Sequence, residues 1–135
     1  MIVWLLIAFY LNSNVDTSVL WIEGGCNTGK TIASKILKRL VDLCTARMLL
    51  RYAGRNDFLS ILKLQYVSVM DNVLAMTLKL KDVLCRAATG EKIIIVLTKE
   101  GVLYAMQHSN IIVNSFRSVS KTFELRERCF TVRIR

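Results

Sequence analysis

Apolar positions along the chain fall into two kinds of run, and each predicts a different element. Short continuous runs bounded by turn residues predict strands covered on both faces: Val19-Leu20-Trp21-Ile22, Tyr66 to Asp71, Lys92 to Leu97, Asn110 to Phe116 and Cys129 to Ile134, with Arg47 to Tyr52 as a further strand. Periodic runs predict helices. After Lys30 the apolar residues Ile32, Ile36, Leu37, Leu40, Val41 and Cys44 recur at helical spacing, which sets Lys35, Lys38 and Arg39 on the other side. Val73 to Leu84 alternates apolar and basic residues at the same spacing, with Gly90 as its stop. Asn12-Ser13-Asn14 and Ala53 to Asp57 read as turns, the second leading into Phe58 to Leu64. Thr98-Lys99-Glu100-Gly101 has the length and glycine of a hairpin connection, with Val102 to Met106 as the return arm. Met1 to Leu11 is apolar but too short to span a bilayer, and it lacks a basic start and a small-residue cleavage site. It reads as a buried strand or short helix of the fold, with an interfacial membrane role as the lesser reading.

Strands alternating with helices early and several strands late argue an α/β fold with a central, mostly parallel sheet flanked by helices. The chain of 135 residues is 53% hydrophobic, with no Pro, no repeat and no linker-like stretch, so residues 1–135 read as one domain. A net charge of +9, from 19 Lys and Arg spread along the length, favours a polyanionic partner such as nucleic acid. Cys26, Cys44, Cys85 and Cys129 form no C-x-x-C pair, and the lone His108 has no nearby Cys at zinc-ligand spacing. Reduced thiols in an intracellular protein are the expectation, with neither a structural zinc nor a disulfide framework.

One stretch carries chemistry outright. Gly24-Gly25-Cys26-Asn27-Thr28-Gly29-Lys30-Thr31 fits G-x-x-x-x-G-K-[ST] between a predicted strand and a predicted helix. The glycines permit backbone conformations that bring consecutive N–H groups onto β- and γ-phosphates. Lys30 adds a point charge, Thr31 a hydroxyl for Mg²⁺, and the helix N-terminus its partial positive charge, so the loop is a P-loop for ATP. Cys26 within it reads as a tolerated small residue. Asp71 ends a β-rich strand about forty residues after Lys30. It is the candidate metal-holding acid, as a Walker-B Asp is; its alternative role is a helix N-cap.

The order of these motifs resembles the superfamily 3 helicase domain in the replication-associated proteins of small circular single-stranded DNA viruses, of circovirus, nanovirus and smacovirus type. The likeness runs through Val19 to Thr31, Gly54-Arg55-Asn56-Asp57, Val67 to Asp71, Asn110 to Phe116 and Leu125-Arg126-Glu127-Arg128-Cys129. It implies a P-loop ATPase of the AAA+ kind in a homo-oligomeric ring, commonly a hexamer, with ATP and Mg²⁺ between neighbours. Lys30 would neutralise the phosphates, Thr31 and Asp71 would hold the metal, and Asn114 would orient water. Arg128 would reach the next subunit's site, and Lys99 at the hairpin tip would grip single-stranded DNA. No membrane partner is implied, and a host nucleus is the expected location if the chain is viral.

The chain also departs from that pattern. In the register that best aligns the fourth motif, the sensor position falls on Phe116, with Asn114 two residues earlier on the same face of a strand. Asn72 stands where a second acid is often found, Cys129 replaces an aromatic, and the family's N-terminal endonuclease motifs do not precede the loop. Two other readings stay open: a degenerate relative that binds nucleotide and nucleic acid without turnover, and an unrelated small P-loop kinase.

Overall fold

The computed structural model describes residues 1–10, 19–42, 50–51, 65–89, 95–96, 103–104, 110–116 and 123–135. Within them the helices are α1 (Ile2–Tyr10), α2 (Lys30–Val41), α3 (Leu78–Thr89) and α4 (Phe123–Glu127). The strands are β1 (Val19–Gly24), β2 (Leu50–Arg51), β3 (Val67–Val73), β4 (Ile95–Val96), β5 (Leu103–Tyr104), β6 (Asn110–Ser115) and β7 (Cys129–Ile134). Five of these strands form one sheet in the order β2-β3-β6-β1-β7, and every pairing in it is parallel. The expected α/β architecture is therefore the observed one, and the continuous apolar runs are its central strands because a parallel sheet is buried on both faces.

Side chains alternate across the sheet and divide the core in two. Leu20 and Ile22 of β1, Val67 and Val69 of β3 and Ile112 of β6 pack under Trp4 and Ala8 of α1 and Leu37 of α2. Val19, Trp21, Met70, Val73, Ile111 and Val113 pack on the other face against α3 and Leu125 of α4. The outlying pair β4 and β5 is antiparallel, Ile95 opposite Tyr104 and Val96 opposite Leu103, as the hairpin reading required. Lys99, the expected tip residue, lies outside the described residues, as do Cys44 and the turn Gly54 to Asp57.

Three expectations need correction. The helix foreseen from Val73 begins at Leu78, because Val73 still belongs to β3 and Thr77 caps the helix, its hydroxyl accepting from the Leu80 N–H at 3.3 Å. Met1 to Leu11 does yield a short helix, yet only one side of it is covered: Trp4 and Ala8 are buried while Met1, Ile2, Val3 and Leu6 are exposed.

The third correction concerns α2, which is rotated relative to the apolar pattern. Ser34, Leu37 and Lys38 face the sheet, whereas Ile32, Ile36 and Leu40 face solvent. The helix begins inside the functional loop, so its phase is set by which residues of its first turn must point to that site. Once Thr31 and Ser34 point there, the positions three and four further on follow.

Lys38 is 0% exposed as a result. Its ammonium donates to Asp42 at 3.3 Å, to Gln65 Oε1 at 2.8 Å and to the Val67 carbonyl, while Asp42 also accepts from the Val67 N–H at 3.1 Å. The pair joins the end of α2 to the beginning of β3. A buried charge held by a counter-ion and further hydrogen bonds is the form in which burial is tolerated.

Candidate nucleotide site

At the carboxyl edge of the sheet, β1 runs into the loop and the loop into α2. Gly29 has φ 85° and Asn27 φ 58°, so the chain passes through the left-handed region twice within three residues, the alternation that turns successive N–H groups to one side. Gly24 is required for another reason: a Cβ there would stand 2.7 Å from the Ile134 carbonyl oxygen and 2.8 Å from Thr28 Oγ1. Residues Asn27, Thr28, Gly29, Lys30, Thr31 and Ile32 line an open cleft of about 300 Å³.

The Lys30 ammonium folds over the loop. It donates to the Gly24 carbonyl at 3.0 Å, to the Gly25 carbonyl and to Thr28 Oγ1 at 3.3 Å, and it stands 5.3 Å from the centre of the Phe116 ring. A cation on the face of an aromatic ring is attracted by the ring's quadrupole. Thr28 in turn donates to the Gly25 carbonyl at 3.0 Å, closing the turn beneath the ammonium.

A second group of side chains converges beside Lys30. The Thr31 hydroxyl lies 3.1 and 3.2 Å from the two Asp71 carboxylate oxygens. Asn114 donates from Nδ2 to Asp71 Oδ1 at 2.9 Å, and its Oδ1 accepts from the Ser34 hydroxyl at 2.7 Å. The amide orientation follows from the partner: turned over, the Asn114 oxygen would face the carboxylate. Asn114 and Ser34 are fully buried, so the chain Ser34–Asn114–Asp71–Thr31 is fixed from behind.

The backbone helps aim the acid. The pairing of β3 with β6 slips between Met70 and Val73, and Asn72 within the slip has φ 57°. Two residues, Asp71 and Asn72, thus stand opposite one, a bulge of the sort that re-aims a side chain next to a site. Asp71 turns inward to Thr31 while Asn72 is exposed. The N-cap alternative for Asp71 is ruled out, since Thr77 fills that role for α3.

Most of the sequence-derived candidates meet here. Gly24 to Thr31, Asp71 and Asn114 converge, and Asn114 rather than Phe116 sits at the carboxylate, so the motif is read two residues earlier than the best register put it. Arg128 does not join them. Its carbonyl accepts from the Val19 N–H at 2.9 Å, at the amino edge of the sheet, and its guanidinium lies by the Cys85 thiol. Burial pushes that thiol above its ordinary range, and the Arg128 cation works in the opposite direction.

Sequence reasoning missed Ser34, whose signal is its place one turn after Lys30, on the same helix face as the site. It also missed Glu23, buried at the end of β1 and bonded to Arg133 at 3.1 Å across the β1–β7 pair, and Ser115, which accepts from the Trp21 indole at 2.8 Å. These tie β1, which runs into the loop, to its neighbours β6 and β7.

The fold and the site together define a P-loop α/β domain, with the loop after β1, an acid on β3 and a buried amide on β6. Comparison with solved structures agrees. JCV helicase with an acetamide compound bound superposes with a TM-score of 0.71 at 17% identity, over 99% of this chain and 40% of that one. A second structure of JCV helicase gives 0.69 at 16% over 99% and 39%. The C-terminal region of NrS-1 in its apo form gives 0.66 at 17% over 96% and 31%. The chain therefore has the helicase-type fold that its motifs implied, and spans about two fifths of the JCV helicase chain. No family model matches the chain, and no curated protein is similar to it in sequence.

Proposed function

We propose that this domain binds ATP with Mg²⁺ and hydrolyses it as the motor module of a viral-type DNA replication initiator of the superfamily 3 helicase kind. The observation that carries the reading is the convergence of Thr31, Asp71 and Asn114 beside the Lys30 loop. Thr31 Oγ1 and the Asp71 carboxylate are hard oxygen donors in mutual contact, the set that suits Mg²⁺ directly or through its waters. When bound, the metal would neutralise charge on the β- and γ-phosphates.

The chain's own groups would divide the remaining work. The loop N–H groups and the α2 N-terminus would hold the phosphates. Lys30 would exchange the Gly24 and Gly25 carbonyls for phosphate oxygens, a modest movement for an ammonium already at the loop. Asn114, locked by Ser34 and Asp71, would present its amide where a γ-phosphate and an attacking water meet. Single-stranded DNA and a ring of copies belong to the same reading. The basic net charge supports the first, and the placement of Arg128 far from its own loop supports the second.

ATPase measurements with and without single-stranded DNA test this. Stimulated turnover that Lys30→Ala abolishes is the expected result; hydrolysis surviving Lys30→Ala would overturn it. A second reading, nucleotide binding without turnover, is favoured by Asn72, an exposed amide where a second carboxylate would polarise water. Tight ATP binding with no phosphate release over many hours selects it.

A further inference from the structure

The rotation of α2 leaves an apolar ridge exposed. Ile32, Ile36 and Leu40 recur every four residues along the outer side of the helix, each more than half exposed. The helix beside it does the same: Ile2, Val3 and Leu6 of α1, with Met1 before it, are all more than half exposed. Both helices cover the same face of the sheet, pack against one another and are anchored from beneath by Trp4, Ala8 and Leu37. The two ridges thus form one surface, larger than the scattered single residues that need no explanation.

Charge on this layer is one-sided. Neither α1 nor α2 carries an acid, while Lys35 and Arg39 stand exposed along the flank of the ridge. The opposite layer is mixed: α3 pairs Arg86 with Asp82 at 3.3 Å, and α4 carries Glu124 and Glu127 beside Arg126. An apolar ridge bordered by cations alone fits a surface that is apolar inside and anionic at its edge. A second copy seated face to face fits poorly, since it would bring Lys35 and Arg39 against the same two cations.

We infer that the outer face of α1 and α2 is a peripheral membrane-binding surface that takes anionic lipid. Ile2, Leu6, Ile36 and Leu40 enter the boundary between headgroups and acyl chains, and Lys35 and Arg39 meet the lipid phosphates and carboxylates. No spanning segment is needed, and among the described residues no helix is long and apolar enough to cross a bilayer. Because α2 starts at the P-loop while its outer side is turned from the sheet, lipid and nucleotide would occupy different sides of one helix.

The test is flotation of the full chain with vesicles of phosphatidylcholine alone or with about one third phosphatidylserine. Binding to the anionic vesicles is expected, weakening about fivefold for each of Lys35→Gln and Arg39→Gln. It should fall at least about tenfold with Leu6→Asp or Ile36→Asp. Both aspartates are placed at exposed sites, so circular dichroism and melting temperature should match the parent. The inference is overturned if anionic vesicles bind no better than neutral ones. It is equally overturned if the aspartate variants float as well as the parent, since adsorption would then be charge alone. A dimer in sedimentation that Ile36→Asp dissolves, without vesicle binding, would assign the face to a second copy instead.

Discussion

Lys30 and Asp71 each have partners already, and what they give up decides what can bind. Lys30 holds two loop carbonyls and the Thr28 hydroxyl, so truncating it removes both the charge for phosphate and the clasp that shapes the loop. Asn114 is different, because it touches the carboxylate and not the loop. Asn114→Ala should leave nucleotide affinity within a few-fold and lower turnover by about 10²- to 10³-fold, the usual loss for one preorganised donor. Equal losses in fluorescent-nucleotide binding and turnover would contradict that assignment. The cysteines report on the loop independently. Cys26 is exposed within it, whereas Cys85 is buried with its thiol held protonated. Iodoacetamide at mildly alkaline pH should therefore modify Cys26 well before Cys85, followed by peptide mass. ATP with Mg²⁺ should slow the Cys26 reaction, and unchanged rates would mean that phosphates do not sit on the loop.

At the scale of elements, the strands were legible and the face of α2 was not. Continuous runs such as Val19 to Ile22 and Asn110 to Phe116 could be little else than buried parallel strands, and the loop sequence named its own conformation. The face of α2 could not be read from apolarity, because its orientation is dictated by Thr31 and Ser34 reaching Asp71 and Asn114, contacts between residues some forty to eighty positions apart. Lys38 is the consequence: a residue assigned to solvent by pattern becomes the buried tie between α2 and β3. The bulge at Asp71 and Asn72 is equally invisible in sequence, since it exists only against β6. Lys38→Met should destabilise by about 3–5 kcal/mol in urea unfolding, because Asp42 is left buried and unpaired. Adding Asp42→Asn should recover part of that loss by removing the stranded charge, and strict additivity of the two losses would show that the pair is not coupled.

For the whole molecule, the decisive distance is the height of the sheet. Arg128 stands at the amino edge, hydrogen-bonded through its carbonyl to Val19, while Lys30 follows the carboxyl end of the same strand β1. A strand of this length spans roughly 17–20 Å, well beyond an arginine side chain, so Arg128 cannot serve its own loop. If it acts on ATP at all, it does so on a neighbour's, which requires a head-to-tail interface of the kind that closes rings. Lys30→Ala and Arg128→Ala should then each be inactive alone, and active when mixed. In a random equal mixture, about a quarter of interfaces join an intact Lys30 to an intact Arg128, so activity should return to about a quarter of the parent value. Sedimentation with a non-hydrolysable ATP analogue should show the assembly at the same protein concentration. A mixture no more active than its better component would assign Arg128 to the packing of Cys85 and α3 alone, leaving hydrolysis, where present, to groups of a single copy.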